Sequence, residues 1–492
     1  EHYGGQNSWP PYPYPLQLLQ KEISTMYDLL IKNGALALPT ETRLRDIAIR
    51  GEKIAAIGQL SDQEAMQTID AYGKLILPGA IDAHTHMDLD LGFAHAVDDF
   101  TTGSRAALAG GVTTIIDHIA FGNEKSNLKN RLNHYRMLAE GKSYIDYSFH
   151  GVLQHGDQQL NQQIAALCRE GVPSFKAYMT YAQRLDDQEL QQALEAAKEH
   201  RGLVAVHAED HLMIQGLREG FGEAGLTAPS YHALSRPNIS EAQAVQKALS
   251  LAAAAGDAPI YLVHISTSES VELIRSAREK GQKNIYAETC PQYLLLDRSR
   301  YLDDNQEGLK YIMSPPLRSP EDNRALWQAL TDGVLQVVAT DHCPFDFRGA
   351  KQLGKDDFRA CPGGIGGVEE RLRLLYTYGV QQRFLSVEQF TAVCCANPAK
   401  IFGLYPRKGA LLIGSDADIT ILDPTIAEHL SVKTSHSAVD YNAYEGQWIG
   451  CVIDTVLLRG DIAYRQGQFL AEPGWGQQLQ RHIDPIIRSS VF

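Results

Sequence analysis

The chain has 492 residues, with 45 Lys+Arg against 59 Asp+Glu and a formal net charge of −14. That balance argues against a nucleic-acid or anionic-membrane surface, and no apolar run approaches the roughly 20 residues of a membrane span. Charged residues at 21% and hydrophobic residues at 44% describe an ordinary globular protein, long enough for a large α/β barrel and a smaller domain.

Residues 1–26 are rich in Pro and Tyr and lack an apolar core behind a basic start, so they read as an extension and not a secretory signal. From Tyr27 to Pro78, short apolar runs punctuated by glycine predict small antiparallel sheets. After Pro78-Gly79 the pattern alternates between strands and helices up to residue 405. Strands are expected at 80–84, 112–119, 144–153, 174–181, 203–209, 259–267, 284–290 and 335–341. The clearest helices are at 187–200, 241–255 and 269–280, with two more near 368–378 and 387–395. Short strands return over 406–472, and 473–492 reads as a C-terminal arm. The predicted fold is α/β: a (β/α)8 TIM-like barrel with a small β-sandwich domain formed from both flanking segments. Seven cysteines without regular spacing, two of them adjacent at Cys394 and Cys395, do not form a disulfide framework and point to a reducing, cytoplasmic compartment.

The histidines carry the chemistry. His84 and His86 close strand 1 as His-Thr-His, Lys176 lies in strand 4, and His207, His264 and Asp341 fall near the ends of strands 5, 6 and 8. In such a barrel the carboxyl ends of the strands form the catalytic mouth, so all six groups converge on one rim. His-x-His on an extended strand presents both imidazoles to one face. Four imidazoles and a carboxylate suit zinc, and they hold two metals only with a bridging group. Lys176 as an ammonium would repel the ions; as a carbamate, formed by addition of CO2, it becomes an anion that can bridge them. Taken singly, His207 and His264 would read as core histidines and Asp341 as a helix cap; their order along the strands argues otherwise.

Several segments match a known pattern: Gly79-Ala-Ile-Asp-Ala-His-Thr-His, Asp98-Asp-Phe-Thr-Thr-Gly, Ser174-Phe-Lys-Ala-Tyr-Met-Thr-Tyr, Val206-His-Ala-Glu, Val263-His-Ile-Ser, Glu288-Thr-Cys-Pro-Gln-Tyr-Leu, Met313-Ser-Pro-Pro-Leu-Arg and Thr340-Asp-His-Cys-Pro-Phe. With these, the chain resembles the amidohydrolase superfamily and, within it, the dihydropyrimidinase/hydantoinase family, over roughly residues 27–473. The resemblance implies hydrolysis of the cyclic amide of a dihydropyrimidine or hydantoin to the N-carbamoyl amino acid, by a hydroxide bridging two Zn2+. It implies that His84, His86 and Asp341 hold one metal, His207 and His264 the other, and carboxylated Lys176 both. Asp341 would move the proton, Tyr181 would donate to the oxyanion, and the backbone at Ser314 and Gly363 would hold the ring. A small cyclic amide is the expected partner, in a homotetramer or homodimer.

Other positions depart from the family. Asp90 places an acid where an apolar residue is usual, His118 ends strand 2 where Phe is usual, and Gly363 stands where dihydropyrimidinases usually have Asn. Asp90, His118, Tyr178 and Leu185 are candidate specificity residues, with Asp90 and His118 expected to make the substituent pocket more polar. Gly363 and His118 keep open an allantoinase-like or other cyclic-ureide hydrolase. A remote alternative is a non-catalytic scaffold of the same family, which would lack the metal ligands.

Overall fold

The computed structural model describes residues 26–60, 65–123, 126–302 and 306–491. The expected N-terminal extension lies outside them but for its last residue.

Eight parallel strands run in chain order around one sheet: β1 (Ala80–Thr85), β2 (Val112–His118), β3 (Asp146–Val152), β4 (Ser174–Tyr178), β5 (Leu203–His207), β6 (Ile260–Leu262), β7 (Ile285–Thr289) and β8 (Val337–Val338). A parallel bridge from Thr85 to His342, just past β8, joins the last strand to the first. The Thr340 hydroxyl donates to Asp82 at 2.7 Å and ties the same two ends together. This is the predicted barrel. Each predicted strand appears, trimmed by a few residues where the chain leaves the ladder for the mouth loops.

Period-two alternation sorts the strand residues. On β4, Phe175 and Ala177 face the helices, leaving Ser174, Lys176 and Tyr178 to point inward. On β5, Val204 and Val206 face outward, and Leu203 and Ala205 join the barrel-interior core. His207 continues the inward row. Helices such as Asp187–Glu199 and Asn238–Ala254 cover the outside. Asp187–Glu199 opens with a capping box in which Asp186 accepts from the Glu189 amide and Glu189 from the Asp186 amide.

The β domain draws on both flanks. A seven-stranded sheet combines Ala35–Ala37, Thr42–Leu44 and Leu75–Pro78 with four strands between Ile419 and Phe469. A four-stranded sheet comes from the N-terminal flank alone, and Ile31, Ile49, Ile76, Ile419 and Leu457 share one core between the two sheets. The flank is not purely antiparallel as expected. Tyr27–Lys32 pairs parallel with Ala65–Asp70, and Ala35–Ala37 parallel with Leu75–Pro78, because the hairpins between them return the chain in its original direction. The helices expected at 368–378 and 387–395 begin as α-turns and widen into π-turns at Leu375–Gln381 and Ala392–Ala396.

The C-terminal arm docks on the barrel floor. Leu479 and Ile483 join the interior core. Arg481 is fully buried and donates to Ser148 Oγ at 2.8 Å, to Ser174 Oγ at 2.8 Å and to the Phe149 and Phe402 carbonyls.

Candidate metal centre and active site

A cavity of about 790 Å³ opens at the carboxyl ends of the strands, and His86, Lys176, His207, His264 and Asp341 line its floor. His84, with no exposed surface, lies just beneath. The Nε2 atoms of His84 and His86 both lie 3.0 Å from Asp341 Oδ1. Lys176 Nζ is 3.2 Å from His84 Nε2, and His207 Nδ1 faces His264 Nε2 at 2.9 Å. All six expected ligands therefore meet.

The donor set fits divalent metals. His84, His264 and Asp341 each aim one ligand atom into a common space. Burial pushes His86 down to about 4 and His264 well below the usual histidine range, so these rings are neutral and offer lone pairs. Burial also brings Lys176 down to about 8. Burial alone would raise the Asp341 carboxyl, but hydrogen-bonded His84 and His86 outweigh it and keep it ionised.

Buried carboxylates orient the imidazoles from behind, and the sequence reading assigned them no role. Glu288, at the end of β7, contacts His84 Nδ1 and accepts from Tyr261 Oη at 2.7 Å. Glu209 takes His207 Nε2 at 2.9 Å and is ion-paired with Arg236. Burial would raise Glu209; Arg236 and His207 bring it down to about 2. Each carboxylate holds one ring nitrogen and leaves the other for a metal. Both lie within the quoted motifs, Glu209 two residues after His207, which was the available signal.

Tyr181, Ser314 and Gly363 line the cavity together. Tyr181 has a φ of 76°, His264 of 39° and Asp341 of 55°. Left-handed backbone at three site residues is the kind of strain that functional loops store. Burial raises the Tyr181 hydroxyl above its usual range, so it remains a donor. A Cβ at Gly363 would sit 3.8 Å from Ser314 Oγ, which places the glycine loop beside the serine.

The departures separate. Asp90 lines the cavity at its exposed rim, where Oδ1 accepts from the Gly92 amide at 2.7 Å. Tyr178 lines it deeper, its ring centroid 5.5 Å from that of His207. His118 and Leu185 are not among the lining residues. His118 points into the barrel interior, stacked between His86 at 5.0 Å and His150 at 4.3 Å, because inward residues of β2 below the rim face the barrel axis. The polarity it was expected to lend the substituent pocket is absent from the cavity wall. Leu185 turns into the helix-side core, pinned by its amide on the Tyr178 carbonyl at 3.0 Å.

Residues 75–463 match the model of the amidohydrolase family. The chain is 42% identical to the D-phenylhydantoinase of Escherichia coli over 462 residues, 93% of this chain and 100% of that one. The solved D-hydantoinase from Bacillus sp. AR9 superposes with a TM-score of 0.91 at 40% identity, covering 93% of this chain and 100% of that one. The L-hydantoinase (dihydropyrimidinase) from Arthrobacter aurescens superposes at 0.84 and 31% identity, covering 93% and 100%. The chain belongs to the amidohydrolase family.

Proposed function

We propose that this protein hydrolyses the cyclic amide bond of a hydantoin or dihydropyrimidine ring to the N-carbamoyl amino acid. The observation that carries the reading is the meeting of His84, His86, Lys176, His207, His264 and Asp341 beneath a cavity lined by Tyr181, Ser314 and Gly363. The names and high coverage of the D-phenylhydantoinase and D-hydantoinase relatives support it.

His84, His86 and Asp341 would hold one Zn2+ and His207 and His264 the other, with carboxylated Lys176 shared between them. When bound, such ions supply a water of lowered pKa and polarise the ring carbonyl. The Tyr181 hydroxyl donates to the oxyanion that develops on that carbonyl. Backbone groups at Ser314 and Gly363 hold the ring imide, so the scissile carbonyl stays under Tyr181. Asp341 accepts the proton of the attacking water and returns it to the ring nitrogen as the C–N bond breaks.

The seven unpaired cysteines suit a reducing, cytoplasmic compartment. A homotetramer or homodimer is the assembly we propose, to be read by sedimentation. The deciding experiment is a hydrolysis screen of hydantoin, dihydrouracil and allantoin on zinc-loaded protein, with metal analysis alongside. We expect about two zinc per chain, a ratio set by the two ligand groups, and an N-carbamoyl product from hydantoin or dihydrouracil. A folded preparation that binds no metal would leave only a scaffold, and turnover confined to allantoin would move the assignment to an allantoinase.

A further inference from the structure

The cavity has two unlike walls. Leu89, Leu91, Phe93 and Phe121, from the loops after β1 and β2, make one side apolar. Other lining residues are polar: His211, Gln215 and Arg218 from the helix after β5, and Arg236 from the turn before Asn238–Ala254.

This second wall is cationic beyond what the neighbouring acids balance. Arg236 lies over the Tyr181 ring, with its guanidinium carbon 5.7 Å from the centroid. Among the described residues its one ion pair is with Glu209, behind the wall, and its Nε has no hydrogen-bond partner. Arg184 donates to the Tyr181 carbonyl at 3.1 Å and adds positive potential at His211. Arg218 donates to the Arg359 carbonyl at 2.9 Å and lies over Phe358. The acid nearby, Asp357, is taken by Arg359 through both carboxylate oxygens. Among the described residues no carboxylate pairs with Arg218. Glu219 also lines the cavity, but it is exposed and accepts from Gln215 Nε2 at 2.8 Å; Asp90 stands on the far rim. Burial and the neighbouring Arg236 push the Arg218 guanidinium down to about 10, the signature of a cation short of an anion.

We propose that this wall is a subsite for a carboxylate carried on the ring substituent, so that the preferred substrates are hydantoins or dihydropyrimidines whose side chain ends in a carboxylate. The inference rests on the hydrolase reading above and narrows it. A guanidinium matches a carboxylate with two parallel N–H donors, and partial burial strengthens that contact. Tyr181 links the two functions, since its hydroxyl serves the scissile carbonyl and its ring adjoins the arginine wall. Hydrolysis at this site adds one water across the ring C–N bond and releases an N-carbamoyl amino dicarboxylic acid.

The test compares three hydantoins on the zinc-loaded full chain: 5-(2-carboxyethyl)-, its neutral isostere 5-(2-carbamoylethyl)-, and 5-phenylhydantoin. We expect kcat/KM for the carboxylate to exceed that for the amide by about tenfold or more, as one charge-assisted pair supplies. In Arg218→Gln that ratio falls to near one, and in Arg218→Lys it is partly kept. A wild-type ratio near one, a larger kcat/KM for the phenyl compound, or an undiminished ratio in Arg218→Gln would each overturn the proposal. Titration calorimetry of the carboxylate and the amide on metal-stripped full chain reads the subsite without turnover, and equal affinities would also overturn it. Unsubstituted hydantoin, run in parallel, reports separately on the hydrolase reading.

Discussion

Lys176 feels the carboxylates of Asp341 and Glu288, yet burial still brings its ammonium down to about 8. Only the neutral amine attacks CO2. At fixed dissolved CO2, reactivation of metal-stripped protein by zinc should therefore quicken as pH rises toward 8 and slow about tenfold per unit below it. The rate of return of hydrolysis between pH 6 and 9 reads this, and a flat profile would count against a carbamate. Glu209 allows a second prediction. Removing it in Glu209→Ala strands the Arg236 charge in a buried setting and frees His207 Nε2. Denaturant unfolding should show a loss of about 3–5 kcal/mol, the usual cost of breaking a buried pair. Zinc affinity, read by competition with a chelator, should fall by roughly 10–100-fold.

At the level of elements, the mouth depends on loops that cross at close range. Gly364 has a φ of 148°, and a Cβ there would lie 2.2 Å from the Cys343 carbonyl oxygen, two residues beyond Asp341. Gly364→Ala must push that carbonyl aside, at about 1–3 kcal/mol for such overpacking, and should cut kcat/KM at least tenfold as Asp341 moves. At Gly363 a Cβ meets Met313 Cα at 3.6 Å, an ordinary contact. Gly363→Asn should fold as the wild type does, and melting curves of the two variants make the comparison. The strands and the candidate ligands on them were legible because β-branched and apolar runs alternate with good helix formers, and because His84, His86, His207, His264 and Asp341 fall near strand ends, with Lys176 on the inward row of β4. Glu288 and Arg236 were not, since their value lies in partners remote along the chain, which spacing does not encode; Glu209, two residues from His207, left a signal in the spacing but no sign of its pairing with Arg236. His118 and Leu185 lie away from the cavity wall for a related reason. Whether a residue near a strand end faces the mouth, the barrel axis or the helices depends on where the ladder stops, and that differs by one or two residues from strand to strand.

Across the whole molecule, the C-terminal segment holds the barrel floor shut. Arg481→Ala would leave the Phe149 and Phe402 carbonyls without their donor, at about 1–3 kcal/mol for each buried group. Thermal unfolding should register that loss, although the substitution lies at the opposite end of the strands from the candidate metal centre. The sheet shared between the flanks has a different consequence, one that concerns biosynthesis. Leu75–Pro78 pairs with Ile419–Asp423, so an inner edge of the seven-stranded sheet stays open until more than three hundred further residues have left the ribosome. The isoleucines of the N-terminal flank lack the other half of their core throughout that interval. Contacts this distant along the chain slow folding, and an open apolar edge invites pairing with another nascent chain. A chain that stalls after the barrel is complete is therefore the species most exposed to aggregation and most in need of a chaperone.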